Sequence, residues 1–532
     1  MGETRQELLI SNTRHNERTR NFPVPFFVVP ASCPRIAVLQ CDCNITAISR
    51  RYINTGYNKT VFSARTPRDM NEQQKKRFSH SEKQQLITLI KYSTLFLVLL
   101  VLVIAFSRFS LESFEAFHSI RLFALFGLGV LGINIFYYGF LMFLACLRYR
   151  PRRTLSDGEL PTCTVIVPAY NEGKSVLNAL DSVLASDYPA AKLEILAIDD
   201  GSADDTWYWI KLAAARSGGR ITPVKLEKNG GKRHALYRGI RQSRAEVIVT
   251  VDSDSVVEPD TLRLLNSPFA DSKIAGVAGS IRVLNLQDGI LPRMMDVNFV
   301  FGFEIMRSAQ SVLGSVFCTP GALSAYRRAA LLPFLDQWVD QKFFGEPAHI
   351  AEDRALATFL LAGDHRIVFQ RNAVARTIIP SSYRTTCKML LRWGRGDVRE
   401  TCSMYRFAFR KFSWFHLGIQ FNLLMQTMWL FLPVLLLPLT LAAACAAPEA
   451  FLQGLILGMI AWSTIPAFIY STRRGGSEAI FAYTFAIFKL VFLFWIGPYC
   501  LVSVRNSKWM TRGRETSHSA ATSQPATNQH AI

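Results

Sequence analysis

The chain has 532 residues, 50% of them hydrophobic, with 60 Lys and Arg against 40 Asp and Glu and a formal charge of +20. That length allows about three domains, and the composition excludes a disordered or fibrous chain. A mean hydropathy of +0.17 beside so large a charge requires apolar and basic residues to be segregated, as in a membrane protein, and ten Cys without CxxC pairs or His partners at ligand spacing argue against a zinc module or disulfide framework.

Residues 1–85 are basic and carry no long apolar run and no cleavable signal segment. They are expected to form a disordered cytoplasmic tail, in which Cys41 and Cys43 lack the partners of a metal site. Residues 86–147 read as a transmembrane hairpin. Its first arm is Tyr92 to Ser107, lengthened by Leu86 to Ile90; its second, Leu122 to Leu147, runs 26 positions without a charge between Arg121 and an arginine cluster at 148–153. At 1.5 Å per residue that crosses about 30 Å of hydrocarbon.

A mixed-polarity stretch follows, divided into a domain at 148–380 and a basic amphipathic segment at 381–415. Thr164 to Pro168 is a β-branched run followed by Ala169-Tyr170-Asn171-Glu172 and a helical pattern from Lys174 to Ala185, the opening unit of a parallel α/β sheet. Leu193 to Ile198 forms a second strand ending in Asp199-Asp200-Gly201-Ser202, and Val247 to Val251 a third ending in Asp252-Ser253-Asp254-Ser255. Ligands bind beyond the carboxyl ends of such strands. Asp204 reads more simply as a helix cap.

Asp252 and Asp254, at i and i+2 on a strand end, can turn toward one hard cation that also bridges substrate phosphates. Upstream, Asn229-Gly230-Gly231-Lys232-Arg233 permits close backbone approach and supplies charge for a diphosphate. Together these describe a nucleotide-diphosphate donor site, and the absence of GxxxxGK[ST] argues against a P-loop enzyme. Glu352-Asp353 opens a helix running to Leu361, where a capping box or surface ion pair is the simpler reading. Arg392-Trp393 lies in the amphipathic segment, where an interfacial helix with a snorkelling Arg and an anchoring Trp is also open.

Residues 416–504 hold three further apolar runs, Leu417 to Ala447, Phe451 to Tyr470 and Ala479 to Val502; Pro433 and Pro438 would also suit a bent first segment. Counting all three as spans puts the loose tail at 505–532, with Arg505, Lys508, Arg512 and Arg514, on the side opposite the domain. Either one run does not cross or the tail breaks the positive-inside rule.

These motifs, with Cys318 to Arg328 (CTPGALSAYRR), occur in the order seen in membrane-embedded family 2 glycosyltransferases. Gln310-Ser311, Tyr326-Arg327-Arg328 and Asp340 to Gly345 are most similar to hyaluronan synthases and nodulation-type chitooligosaccharide synthases. The resemblance implies a GT-A-like α/β nucleotide-sugar-binding domain on the cytoplasmic face, inserted between N- and C-terminal transmembrane helices in a multi-pass plasma-membrane enzyme. It also implies Mg²⁺ or Mn²⁺, and inverting β-transfer from UDP-N-acetylglucosamine, alone or with UDP-glucuronate, to a growing polysaccharide that is exported through the bilayer.

Carried over onto this chain, Tyr170, Glu172, Asp199, Asp200, Lys232, Arg233 and Asp252 would meet the donor. Asp252 and Asp254 would hold the metal, Asp353 would be the general base, and Glu352, Arg392 and Trp393 would meet the acceptor. Met389 stands where the family has Gln, which puts retention of the nascent chain in doubt. Transfer of one sugar to a lipid carrier and a transporter with a nucleotide-binding domain are the other readings; against the latter, Lys489 is nearly alone as an intramembrane charge. Nucleic acid is not an expected partner, because the basic residues gather at membrane flanks and in the tail.

Overall fold

The computed structural model describes residues 118–474 and 477–507; the expected tail and the first arm of the hairpin lie outside them. The uncharged run after Arg121 is helical throughout, α1 (His118–Phe143) passing into a π-helical turn at Leu144–Arg148 where the arginine cluster begins.

The domain opens with β1 (Cys163–Ala169), α2 (Val176–Leu184), β2 (Leu193–Asp199), α3 (Thr206–Arg216), β3 (Ile221–Lys225), α4 (Lys232–Gln242) and β4 (Val247–Thr250). Its first four strands pair in parallel in the order β3-β2-β1-β4. Both faces of this half are covered, which is why its central strands read as unbroken apolar runs. The period of two decides the partner: Val165 and Val167 pack on the side of α2 and α3, Ile166 on the side of α4.

The sheet is not wholly parallel. β5 (Ser255–Val257), β6 (Ile274–Val283), β7 (Ser324–Arg327) and β8 (Arg366–Thr377) extend it to eight strands in the order β4-β7-β6-β8-β5. β7 runs antiparallel to both β4 and β6, with Ser324 opposite Thr250. Because β7 runs backwards, the loop before it, residues 318–323, lies at the edge where β4 ends.

After β6 a long helix begins as α5 (Ile290–Phe299), widens to a π-helix over Val300–Met306 and resumes as α-helix over Arg307–Val312. α6 (Glu352–Ala362) precedes β8, and α7 (Tyr383–Met404) follows it, capped by Ser382.

The first C-terminal run breaks into α8 (Trp414–Leu435) and α9 (Leu437–Ala446) at Leu436, between the two prolines. The second forms α10 (Pro448–Arg473), about 39 Å long at 1.5 Å per residue. Among the described residues, Trp414–Leu435 and Phe451–Arg473 are the helices long and apolar enough to cross a membrane. α8 starts at the domain, where His416 pairs with Asp364 at 3.0 Å, and α10 returns to it, Tyr470 donating to Asp296 at 2.9 Å and Arg474 to Glu304 at 2.8 Å.

The third run departs from the expected straight span. It bends by 51° between Ser477–Phe492 and Ile496–Val502, giving α11 (Phe481–Phe492) and α12 (Ile496–Val502). Both of its ends rest on the domain. At the start Arg293 of α5 pairs with Glu478 at 3.9 Å and lies over the Phe481 ring; at the bend Tyr383 of α7 donates to the Phe492 carbonyl, and at the end Arg395 of α7 donates to Ser503. The bent pair is a re-entrant segment or a broken span, and the docking of its two ends on α5 and α7 favours the former. Single cysteines introduced as Glu478→Cys and Asn506→Cys, in a background without other accessible thiols, are expected to react with a membrane-impermeant maleimide from the same side of sealed vesicles. Labelling from opposite sides would show that the bent pair spans.

Candidate active site

The ends of β1 and β2 are laced together through backbone amides. Asn171, in the left-handed region at φ 53°, donates its amide to Ser202, and Thr206 Oγ1 accepts from Glu172 and Gly173 at 2.8 Å each. Asp204 accepts from the Thr206 amide at 3.0 Å just before α3, whose N-cap position is taken by Asp205 rather than by Asp204 as expected. Asp199 is fully buried and accepts from the Ser202 amide; Asp200, 3% exposed, accepts from the Gly230 amide at 3.0 Å. Burial pushes the Asp200 carboxyl up, against the pull of the Gly230 and Gly231 amides. Gly201, at φ 70°, completes this junction, because a Cβ there would lie 2.7 Å from the Asn229 amide. Asp199 and Asp200, expected to meet the donor, are here engaged with loop amides, and Tyr170 and Glu172 are half-buried side chains of this edge.

The charged centre lies one strand further on. Lys232, in the first turn of α4, places its ammonium 2.5 Å from Asp252 Oδ1 and 2.8 Å from Glu352 Oε1. Burial works against that ammonium, but Asp252, Glu352 and Asp353 outweigh it and raise its pKa. Burial would likewise raise Glu352, yet Lys232 and then Arg392 hold its carboxyl down at about 2. Asp353 goes the other way, pushed up to about 6 by burial and by neighbouring Glu352, with Lys232 and two amides opposing. Those amides are Arg354 N–H to Oδ1 at 2.7 Å and Gly321 N–H to Oδ2 at 3.0 Å. No capping box forms: the residue before α6 is Ala351, left-handed at φ 60° and without a side-chain cap. A carboxylate tuned toward neutrality beside a second one held fully ionised is the pairing that acid–base chemistry needs.

Asp252 and Asp254 are half-buried on either side of buried Ser253, and Asp254 Oδ1 lies 3.4 Å from the Thr377 hydroxyl. Among the described residues no three His, Cys, Asp or Glu side chains gather as a metal cage. Two hard carboxylate oxygens suit a cation of the Mg²⁺ or Mn²⁺ kind that takes its other ligands from water and substrate phosphates.

One expectation is corrected. Arg233 does not face a nucleotide: it is 1% exposed, donates to the Trp338 carbonyl and to Gln341 at 2.9 Å, and lies over the Trp338 ring. Consecutive residues on a helix point about 100° apart, so Lys232 and Arg233 cannot both serve the strand-end site. Met389, 4% exposed, packs in the same apolar core as Phe299 and Val283, where a Gln amide would meet apolar side chains.

Arg392 and Trp393 lie on α7. Arg392 acts on Glu352, and Trp393 is 37% exposed with its ring 6.1 Å from Phe299. Phe299 meets Phe303 at 4.6 Å, and the Arg307 guanidinium lies over Phe303 at 3.9 Å. This aromatic row on the π-helix had no signal in the sequence. Gly321 did, inside the Cys318 to Arg328 motif, but its role needed the positions of Lys232 and Asp353.

Residues 161–396 match the family described as Glycosyltransferase like family 2. An N-acetylglucosaminyltransferase of Mesorhizobium japonicum is 30% identical over 363 residues, 66% of this chain and 82% of that protein. One from Rhizobium sp. strain N33 is 31% identical over 361 residues, 67% and 78% of the two chains. A solved mannosyltransferase from Pyrobaculum calidifontis, in complex with GDP-Man and Mn²⁺, is 23% identical and covers 68% of this chain and 95% of its own at a TM-score of 0.48. With its GT-A-like mixed sheet, strand-end carboxylates and apolar C-terminal helices, the chain belongs to the family 2 glycosyltransferases and is a membrane-associated member of them.

Proposed function

We propose that the protein transfers N-acetylglucosamine from UDP-N-acetylglucosamine, with inversion, onto a growing GlcNAc-containing chain at the cytoplasmic face of the plasma membrane. The donor class is supported by the names of the relatives, and the mechanism by one observation, the raised carboxyl of Asp353 beside the ionised pair of Lys232 and Glu352. Tyr170 and Glu172 frame the uridine, while the loops tied by Asp199 and Asp200 set the depth of its pocket. Lys232 meets the diphosphate from the carboxyl edge. A divalent cation held by Asp252 and Asp254 supplies charge neutralisation for the leaving diphosphate.

The acceptor hydroxyl is too weak an acid to attack unaided. Asp353 takes its proton as the oxygen bonds to the anomeric carbon and the bond to UDP breaks, a single displacement that inverts the centre. Trp393 offers an exposed ring for the acceptor sugar to stack on, and Arg392 adds positive charge beside Glu352. The spans next to the site give a polymer made on this side a route out. Incubating membranes with UDP-N-acetylglucosamine, with and without UDP-glucuronate, and digesting the product with chitinase or hyaluronidase tests the polymer's identity.

Asp353→Asn is expected to slow transfer by about 10² to 10⁴ while UDP affinity stays within a few-fold, because a base acts only in the transition state. Transfer near the parental rate would remove Asp353 from the mechanism. The base works when unprotonated, so transfer should fall as pH drops through about 6, the value to which burial and Glu352 raise it. A flat rate between pH 7 and 5 would contradict this.

Asp254→Asn should abolish transfer and weaken UDP binding in Mg²⁺ or Mn²⁺. Full activity in excess chelator would rule out the cation.

A further inference from the structure

Gly321 stands where the two halves of the site meet. Its amide donates to Asp353 Oδ2 at 3.0 Å. A Cβ built on it would lie 2.4 Å from Lys232 Nζ, 3.4 Å from Glu352 Oε1 and 3.7 Å from Asp252 Oδ1. The backbone there is not left-handed, so conformation does not demand glycine at this position. Bulk does, because a methyl group would take the space that the ammonium fills.

We propose that Gly321 is a positioning residue for transfer, whose missing side chain seats the Lys232 ammonium between Asp252 and Glu352 and so joins the donor half of the site to the half that carries Asp353. The inference rests on the reading of Asp353 as the base. Lys232 is the contact that bridges those halves, since Asp252 follows β4 and Glu352 opens α6. With the ammonium seated, Glu352 is neutralised beside Asp353. With it displaced, two adjacent carboxylates face each other without that cation, and Asp353 holds its proton over more of the pH range.

The other groups that act on Asp353 or feel its charge include Arg233 of α4, Arg307 beyond the π-helix, Cys318, Tyr326 of β7 and Arg354 of its own helix. None of them is among the atoms nearest to the space a methyl at 321 would occupy.

The test is a double-mutant cycle on the full-length enzyme in membranes, with Gly321→Ala, Lys232→Met and both together. The readouts are the pH dependence of transfer at saturating donor, and the UDP affinity of each variant. Gly321→Ala keeps the amide to Asp353 and is expected to move the acid limb up by about one pH unit, so that below the limb the rate drops about tenfold. Lys232→Met should move the limb in the same direction, and the double variant should match Lys232→Met alone, because the added methyl then has no ammonium to displace. Losses that multiply in the double variant, or a Gly321→Ala limb at the parental pH, would overturn the proposal. Should Gly321→Ala fail to fold, the Lys232→Met profile decides by itself, and an unmoved limb refutes the coupling. Failure of the base reading would show separately, as transfer retained by Asp353→Asn.

Discussion

Lys232 belongs to the start of α4, yet its ammonium is held by a carboxylate from beyond β4 and another from the first turn of α6. Without it, Asp252, Glu352 and Asp353 would bring three negative charges to one partly buried edge, an arrangement that could persist only by taking up protons. Much of the local architecture serves this contact. The reversed direction of β7 brings Gly321 to the carboxyl edge, the left-handed Ala351 turns the chain so that α6 begins there, and the helix start stabilises the two acids in its first turn. The result is a pair of neighbouring carboxyls driven apart in proton affinity, Glu352 down and Asp353 up.

A second set of contacts fixes that edge relative to the membrane. Asp296 and Glu304, buried on the long helix after β6, accept from Tyr470 and Arg474 at the end of α10. Removing Arg474 would leave the buried Glu304 carboxylate without its cation, so charged and polar contacts join the domain to α10. α7 is gripped from its far side by α12. A Cβ on Gly394 would come within 2.6 Å of Cys500 Sγ, and Arg395 donates to Ser503. The helix that carries Arg392 and Trp393 is thereby clamped between the domain and the returning end of the chain.

The strand ends were legible in the sequence because β-branched runs stop at acidic residues, and each of the three predicted strands falls within a residue or two of its expected bounds. Lys232, Asp252, Glu352 and Asp353 could be named from the same pattern, although not their contacts, which join Lys232 both to Asp252 after the next strand and to Glu352, far along the chain. Arg233 shows the limit. A Lys-Arg pair looks like one patch of charge, and only Trp338 and Gln341, distant in sequence, reveal that its second member is part of the core. Met389 is similar, since motif spacing gives a position on a helix and not the face that is buried. Hydropathy found the third C-terminal run but carries no information about where its ends dock.

The π-helical stretch at Val300–Met306 has a consequence for how this helix tolerates change in length. Such a stretch is wound one residue wider than its α-helical flanks, and here it separates Phe299 from Arg307 while keeping Phe299, Phe303 and Arg307 in one stacked row. Deleting a single residue inside it would let the helix close into continuous α-geometry, and the four-residue spacing would then survive on only one side of Phe303. One of the two ring contacts would be lost while the hydrogen bonds of the helix stayed intact. The row thus depends on the number of residues between its members as well as on their identity.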